Sequence, residues 1–280
     1  MHTYAQTNVQ LFNQLRSEGY SKEDRDRVLH VYEFGMRLFT GIFLPTGRPF
    51  FDHLVGTASV LASLHVPVNV VAASLIHAAY RHGDFGGVRK GISEKKRRQV
   101  RRAVGEAVEE YVARYERLLW EPQSIPVIHG TLDGLSPVDR DVLLMRLANE
   151  LEHELDLGGL YFARSEKEQG RHQRDIERHG PILMEMSDRL GVSSLSAEME
   201  RVFKAITTAQ LPVTPLIQGK KVTYSIAPQS YCERLSVTFC RTLLSGSRWG
   251  AGIVDRARSK CCRSYQYIRQ RFRPIFSPHA

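Results

Sequence analysis

Cysteine is scarce in this 280-residue chain and confined to its end, at Cys232, Cys240, Cys261 and Cys262. So few and so late, these residues exclude a small disulfide-stapled fold. Their spacings, Cys-x7-Cys and an adjacent pair, match no common zinc signature. No apolar run reaches the roughly 18 residues that would suggest a membrane-spanning helix. The opening Met-His-Thr-Tyr-Ala-Gln lacks the basic and then apolar stretch of a secretory signal, so a cytoplasmic setting is expected. Strand-like alternation is missing except over residues 221–226, and no internal repeat is visible. Acid is nearly absent from residues 234–280, which hold ten Lys or Arg against Asp255 alone. That stretch accounts for the whole formal charge of +9 and leaves the first 233 residues neutral in sum.

What is present is apolar helix. A chain that is 42% hydrophobic can bury a large core. Apolar residues recur at helical spacing over 5–17, 22–39, 53–64, 68–81, 93–120, 138–156, 165–190 and 196–208. Ser21 with an acid three residues on reads as a capping box, and Ser93 as a further cap. The prediction is an all-α helical domain over 1–210, followed by a basic extension over 211–280 that contains the cysteines and several aromatics.

Two histidines stand out in the apolar helices. His53 opens the run from Leu54 to Leu61, and His77 closes the run from Val70 to Ile76. An imidazole in an apolar wall loses hydration and recovers it through a metal, a hydrogen bond or a ligand. The two are 24 residues apart on consecutive helices, which allows them to meet. Helix 138–156 adds Asn149, Glu152 and His153 along one face while its other side is Leu-rich. A helix apolar on both sides is buried, so Asn149 and its polar followers are expected to point into protein. His53, His77, Asn149 and His153 make a candidate ligand set for a divalent Mn, Fe or Zn ion. Each taken alone also reads as a hydrogen-bonded core residue; together, on separate buried helices, they suggest a shared site.

The segment Thr46-Gly47-Arg48-Pro49-Phe50-Phe51-Asp52-His53 resembles the loop that leads into the first metal-binding histidine of the HD superfamily, all-helical metal-dependent phosphohydrolases. Leu75-Ile76-His77-Ala78 is similar to that family's Leu-Leu-His-Asp, and Leu147-Ala148-Asn149-Glu150-Leu151 to its Leu-Ala-Asp-Arg-Leu. The likeness runs over about residues 25–190 and is nearest the hydrolase domain of the RelA/SpoT-like guanosine tetraphosphate enzymes. It implies an HD-like bundle with a phosphohydrolase site. The departures fall on the chemistry. Ala78 and Asn149 replace two metal carboxylates, Arg81-His82 replaces a catalytic Glu-Asp pair, and Leu44 stands where a basic residue belongs. His77-Ala78-Ala79-Tyr80, followed by Gly83-Asp84-Phe85-Gly86, is also similar to a little-characterised HD-like group without the His-Asp doublet.

Two functions fit these residues. In the first, a divergent hydrolase acts on a nucleotide or phosphorylated small molecule. His82 and Asp84 would serve as catalytic groups and Arg48, Arg81 and Tyr80 would hold the substrate. In the second, a binding or regulatory module keeps the fold without hydrolysis, its pocket holding a ligand or closed by His-Asn hydrogen bonds. The basic extension suits contact with an anionic membrane, with Cys261-Cys262 as acylation points. It carries no nucleic-acid motif, so nucleic acid is not an expected partner.

Overall fold

Five of the helices begin on a hydroxyl side chain that closes the first turn, at Thr7, Ser21, Ser93, Ser136 and Ser165. Each accepts a hydrogen bond from the backbone N–H three residues on, and satisfies a donor that the helix leaves free. At Thr7 and Ser21 the residue at that position, Gln10 or Asp24, bonds back to complete a capping box. The computed structural model describes residues 4–44, 48–86, 91–155, 157–161, 163 and 165–210. The basic extension, its cysteines, the 221–226 strand and the membrane contact expected of that region lie outside these residues.

The elements run α1 Asn8–Ser17, α2 Lys22–Phe39, α3 Phe50–Ser63, α4 Val68–Ser74, α5 Ala79–His82, α6 Glu94–Val104, α7 Glu106–Arg117, α8 Ile125–Thr131, α9 Pro137–Glu154, α10 Gly158–Tyr161, α11 Glu166–Arg189 and α12 Ser193–Thr208. The fold is all-α, as the periodicity predicts. Among the described residues the only β-type pairing is an isolated bridge between Phe43 and Pro49. None of the described helices is long and apolar enough to cross a membrane.

α3 is the central element. Its residues Phe50, Phe51 and His53 to Ala62 are all buried, and it packs against α1, α2, α4 and α9. A helix covered on every side needs apolar and small residues all round, which this segment supplies. Burying each of its larger aliphatic side chains contributes about 1.5–3 kcal/mol. α9 crosses α3 and buries Val142, Met145 and Asn149 on one side and Leu144, Leu147 and Leu151 on the other. α7 packs on both α4 and α9, so α3, α4, α7 and α9 surround one volume.

The structure breaks two predicted helices. The 93–120 segment divides at Gly105, whose φ of 88° ends α6 and starts α7. That angle suits glycine and strains any residue with a Cβ. The 68–81 segment divides after Ser74. There the Ser74 hydroxyl bonds to Val71 O at 2.7 Å and His77 Nδ1 to Ser74 O at 2.7 Å. Side chains that take main-chain carbonyls compete with the helical ladder, and the chain tightens to i→i−3 bonds through Leu75, Ile76 and His77. Between α7 and α9 lies α8, which starts with Pro126 in its first turn, where the missing N–H costs nothing.

Candidate functional site

The turn after α4 delivers His77 into the wall of a cavity of about 110 Å³. α3 contributes Phe50 and His53, α5 Arg81 and His82, α7 Tyr115 and Glu116, and α9 Arg146, Asn149 and His153. The imidazoles of His53 and His77 stand edge to face with centroids 5.9 Å apart. His153 stacks on His53 at 4.1 Å. His77 in turn lies 4.6 Å from the Tyr115 ring.

His53 is held on both edges. Its Nδ1 contacts Glu152 Oε2, and its Nε2 lies 3.0 Å from the side-chain amide of Asn149. Glu152 is fully buried, and its other oxygen meets Arg48 Nη2, which also reaches Gln6. The Asn149 atom 3.0 Å from Nε2 is its amide oxygen Oδ1, which accepts. Burial, then the positive charges of Arg48 and Arg146, push His53 down to about 3. Burial also holds His77 well below its ordinary value, reinforced by His53 and Arg146. Both rings are therefore neutral near neutral pH. Because His77 Nδ1 donates to Ser74 O, its Nε2 is left as an acceptor on the cavity side.

Two buried donors in the same wall have no partner among the described residues: the Tyr115 hydroxyl and Arg146 Nε. Tyr115 is only 4% exposed. The Arg146 guanidinium lies 4.0 Å from its ring centroid and 5.6 Å from that of Trp120. A buried polar group without a partner costs about 1–3 kcal/mol, so two in one small cavity mark a place where something else supplies the bond. A larger depression of about 450 Å³ lies elsewhere, beside Leu160, Gln169, Gln173 and Gln210. Among the described residues Glu166 is the only ionisable side chain lining it, and the chemistry is concentrated in the smaller cavity.

The residues singled out from sequence fall into two groups. His53, His77, Asn149, His153, Arg81 and His82 line the cavity. Contrary to the expectation that the polar followers of Asn149 all point inward, His153 is solvent-exposed and sits at the mouth, whereas Asn149 and Glu152 are buried. Arg48, Tyr80 and Asp84 are not among the lining residues. Arg48 stands behind His53 on Glu152. The Tyr80 hydroxyl donates to the buried Glu109, which also accepts from the half-buried Arg97 and Arg101. Asp84 Oδ1 accepts from Gly86 N–H at 2.8 Å and its own N–H donates to Leu38 O. Sequence reasoning missed Tyr115, Glu116 and Arg146. Tyr115 sits at apolar helical spacing and reads as core. Arg146 offered a signal, as a cation set between the buried Met145 and Leu147.

The donor set does not fit a divalent cation. His53 has both nitrogens engaged, Asn149 is a neutral amide, and Glu116, the one carboxylate lining the cavity among the described residues, is 3.6 Å from Arg81. Arg146 adds positive charge to the same wall. Among the described residues, no group of three or more His, Cys, Asp or Glu side chains is disposed to hold a metal ion.

A family model described as a domain of unknown function, DUF6817, matches residues 42–118. That span carries the cavity residues of α3, α5 and α7 together with His77 and Ala78. No curated protein matches the chain. Among solved structures, the chain is similar to a metazoan ortholog of SpoT, a protein that hydrolyzes ppGpp and plays a role in starvation responses. The identity is 15% and the TM-score 0.43, over 64% of this chain and 94% of that one.

Proposed function

We propose that this chain is a cytoplasmic ligand-binding or regulatory module built on an HD-like helical domain, and that its cavity receives the phosphate group of a small molecule. The observation that carries this reading is the pair of unpartnered donors, Tyr115 hydroxyl and Arg146 Nε, in one wall with Arg81 nearby. Unpartnered donors on residues that line a narrow cavity suit an oxyanion, and a guanidinium adds charge to the bond. The neutral imidazoles leave that positive character undiluted by any described cavity carboxylate except Glu116. A competing reading is a metal-dependent phosphohydrolase. What speaks for it is the Glu152 carboxylate behind His53, since carboxylates behind imidazoles orient metal-binding histidines in many proteins.

Calorimetry of the full chain with a panel of phosphomonoesters tests the first reading. Saturable 1:1 binding is expected, weakened about tenfold or more in Tyr115→Phe and in Arg146→Gln. Absence of binding to every member of the panel overturns it. Stoichiometric Mn, Fe or Zn in the purified protein, lost in His77→Ala together with phosphatase turnover, establishes the competing one.

A further inference from the structure

The cavity presents hydrogen-bonding groups of both kinds. Tyr115 and Arg146 offer protons, whereas His77 offers a lone pair, because its Nδ1 proton is committed to Ser74 O at 2.7 Å. A fully ionised oxyanion has only lone pairs. Set against His77 Nε2 it would face lone pair with lone pair at a buried wall, and such a mismatch is heavily penalised. An oxyanion that keeps one O–H matches all three groups at once.

We propose that His77 makes this cavity selective for a tetrahedral oxyanion that still carries a proton, so that it takes phosphate and discriminates against sulfate. The proposal rests on the binding reading above and adds to it the protonation state of the bound group. In the bound state the P–O–H donates to His77 Nε2, and the remaining oxygens accept from the Tyr115 hydroxyl and from Arg146. No covalent step is involved. Size agrees with one such group. About 110 Å³ is room enough for a tetrahedral head. The rest of a larger ligand would lie at the mouth, beside exposed His153 and the Arg81 side chain, which is more than half exposed.

Inorganic phosphate and sulfate are near-identical in shape and serve as the probes, titrated by calorimetry into the full chain at one near-neutral pH and matched ionic strength. Phosphate is expected to bind at least about tenfold tighter than sulfate. In His77→Asn the side-chain amide can present either a donor or an acceptor, so the ratio is expected to fall to about threefold or less. If both anions bind wild type equally, selectivity through His77 is overturned while the binding reading stands. If neither binds, both fall together. A ratio unchanged in a folded His77→Asn protein also overturns the assignment to His77. Should that variant not fold, the wild-type ratio decides alone.

Discussion

Gly56 and Glu152 compete for one space: a methyl group added to Gly56 would strike the Glu152 carboxylate and lie 2.8 Å from its Cγ. The missing side chain on α3 lets the α9 carboxylate slide in beneath His53. Gly56→Ala is expected to cost about 1–3 kcal/mol in urea denaturation, by overpacking and by dislodging Glu152 from His53 and Arg48. The same substitution in a Glu152→Ala background meets an emptied site and should cost at least about 1 kcal/mol less. Additive losses would show that the two residues do not share the space.

The buried imidazoles dictate a pH dependence of stability. In the unfolded chain His53 and His77 protonate near 6.5; in the folded chain burial holds both below that, His53 to about 3. Between those values the unfolded state binds more protons, so stability is fully present above about 6.5 and falls as the pH drops toward 3. Each histidine removes up to about 1.4 kcal/mol per pH unit in that window. His172, paired with Glu154 at 2.9 Å, is shifted upward and works in the opposite sense. Urea midpoints are expected to decline from about pH 7 to about pH 5, with a shallower slope in His77→Gln. A flat profile over that range would contradict the neutral, buried assignment.

How far the sequence carried this picture depended on which residues were visible as exceptions. The apolar run of α3 and the two-sided apolarity of α9 announced burial, so His53, Asn149 and Glu152 were legible as polar groups in a core. The meeting of His53 with His77 followed from two consecutive helices. Tyr80 and Arg48 misled because they sit close in sequence to His77 and His53. Tyr80 points instead to Glu109 on α7, and Arg48 lies behind the site on Glu152. The break after Ser74 was hidden because a helix of Val and Ala does not reveal that two side chains will take its carbonyls. Tyr115 and Arg146 stayed hidden for a related reason. Spacing tells which face a residue occupies, but not whether its polar atom finds a partner there.

Tyr115 separates binding from stability. Its hydroxyl is buried without a partner among the described residues, and burial raises its pKa, so it stays protonated and available as a donor. Removing an unsatisfied hydroxyl relieves its desolvation cost while keeping the ring that packs on His77 and Arg146. Tyr115→Phe is therefore expected to be at least as stable as wild type, by up to about 1 kcal/mol in thermal or urea unfolding. A loss of more than about 1 kcal/mol would mean that the hydroxyl has a structural partner, and would remove it from the ligand site.

Tyr80 behaves in the opposite way because its hydroxyl is part of a closed cluster. Glu109 is fully buried and accepts from Tyr80 at 2.5 Å, from Arg97 at 2.7 and 2.8 Å and from Arg101 at 3.1 Å. Burial alone would raise the Glu109 pKa, but the bonds from Arg97, Tyr80 and Arg101 outweigh it and hold the carboxyl below its ordinary value. Glu109→Ala leaves Arg97 and the Tyr80 hydroxyl without their shared acceptor. Leaving these partners unsatisfied should cost about 2–3 kcal/mol. Tyr80→Phe deletes one donor from a carboxylate that keeps two guanidinium partners, and should cost only about 1–2 kcal/mol. Because neither residue lines the cavity, phosphate affinity measured on folded Tyr80→Phe protein should stay within about twofold of wild type. A tenfold loss there, without loss of stability, would return Tyr80 to the ligand site and displace the cluster as its main role.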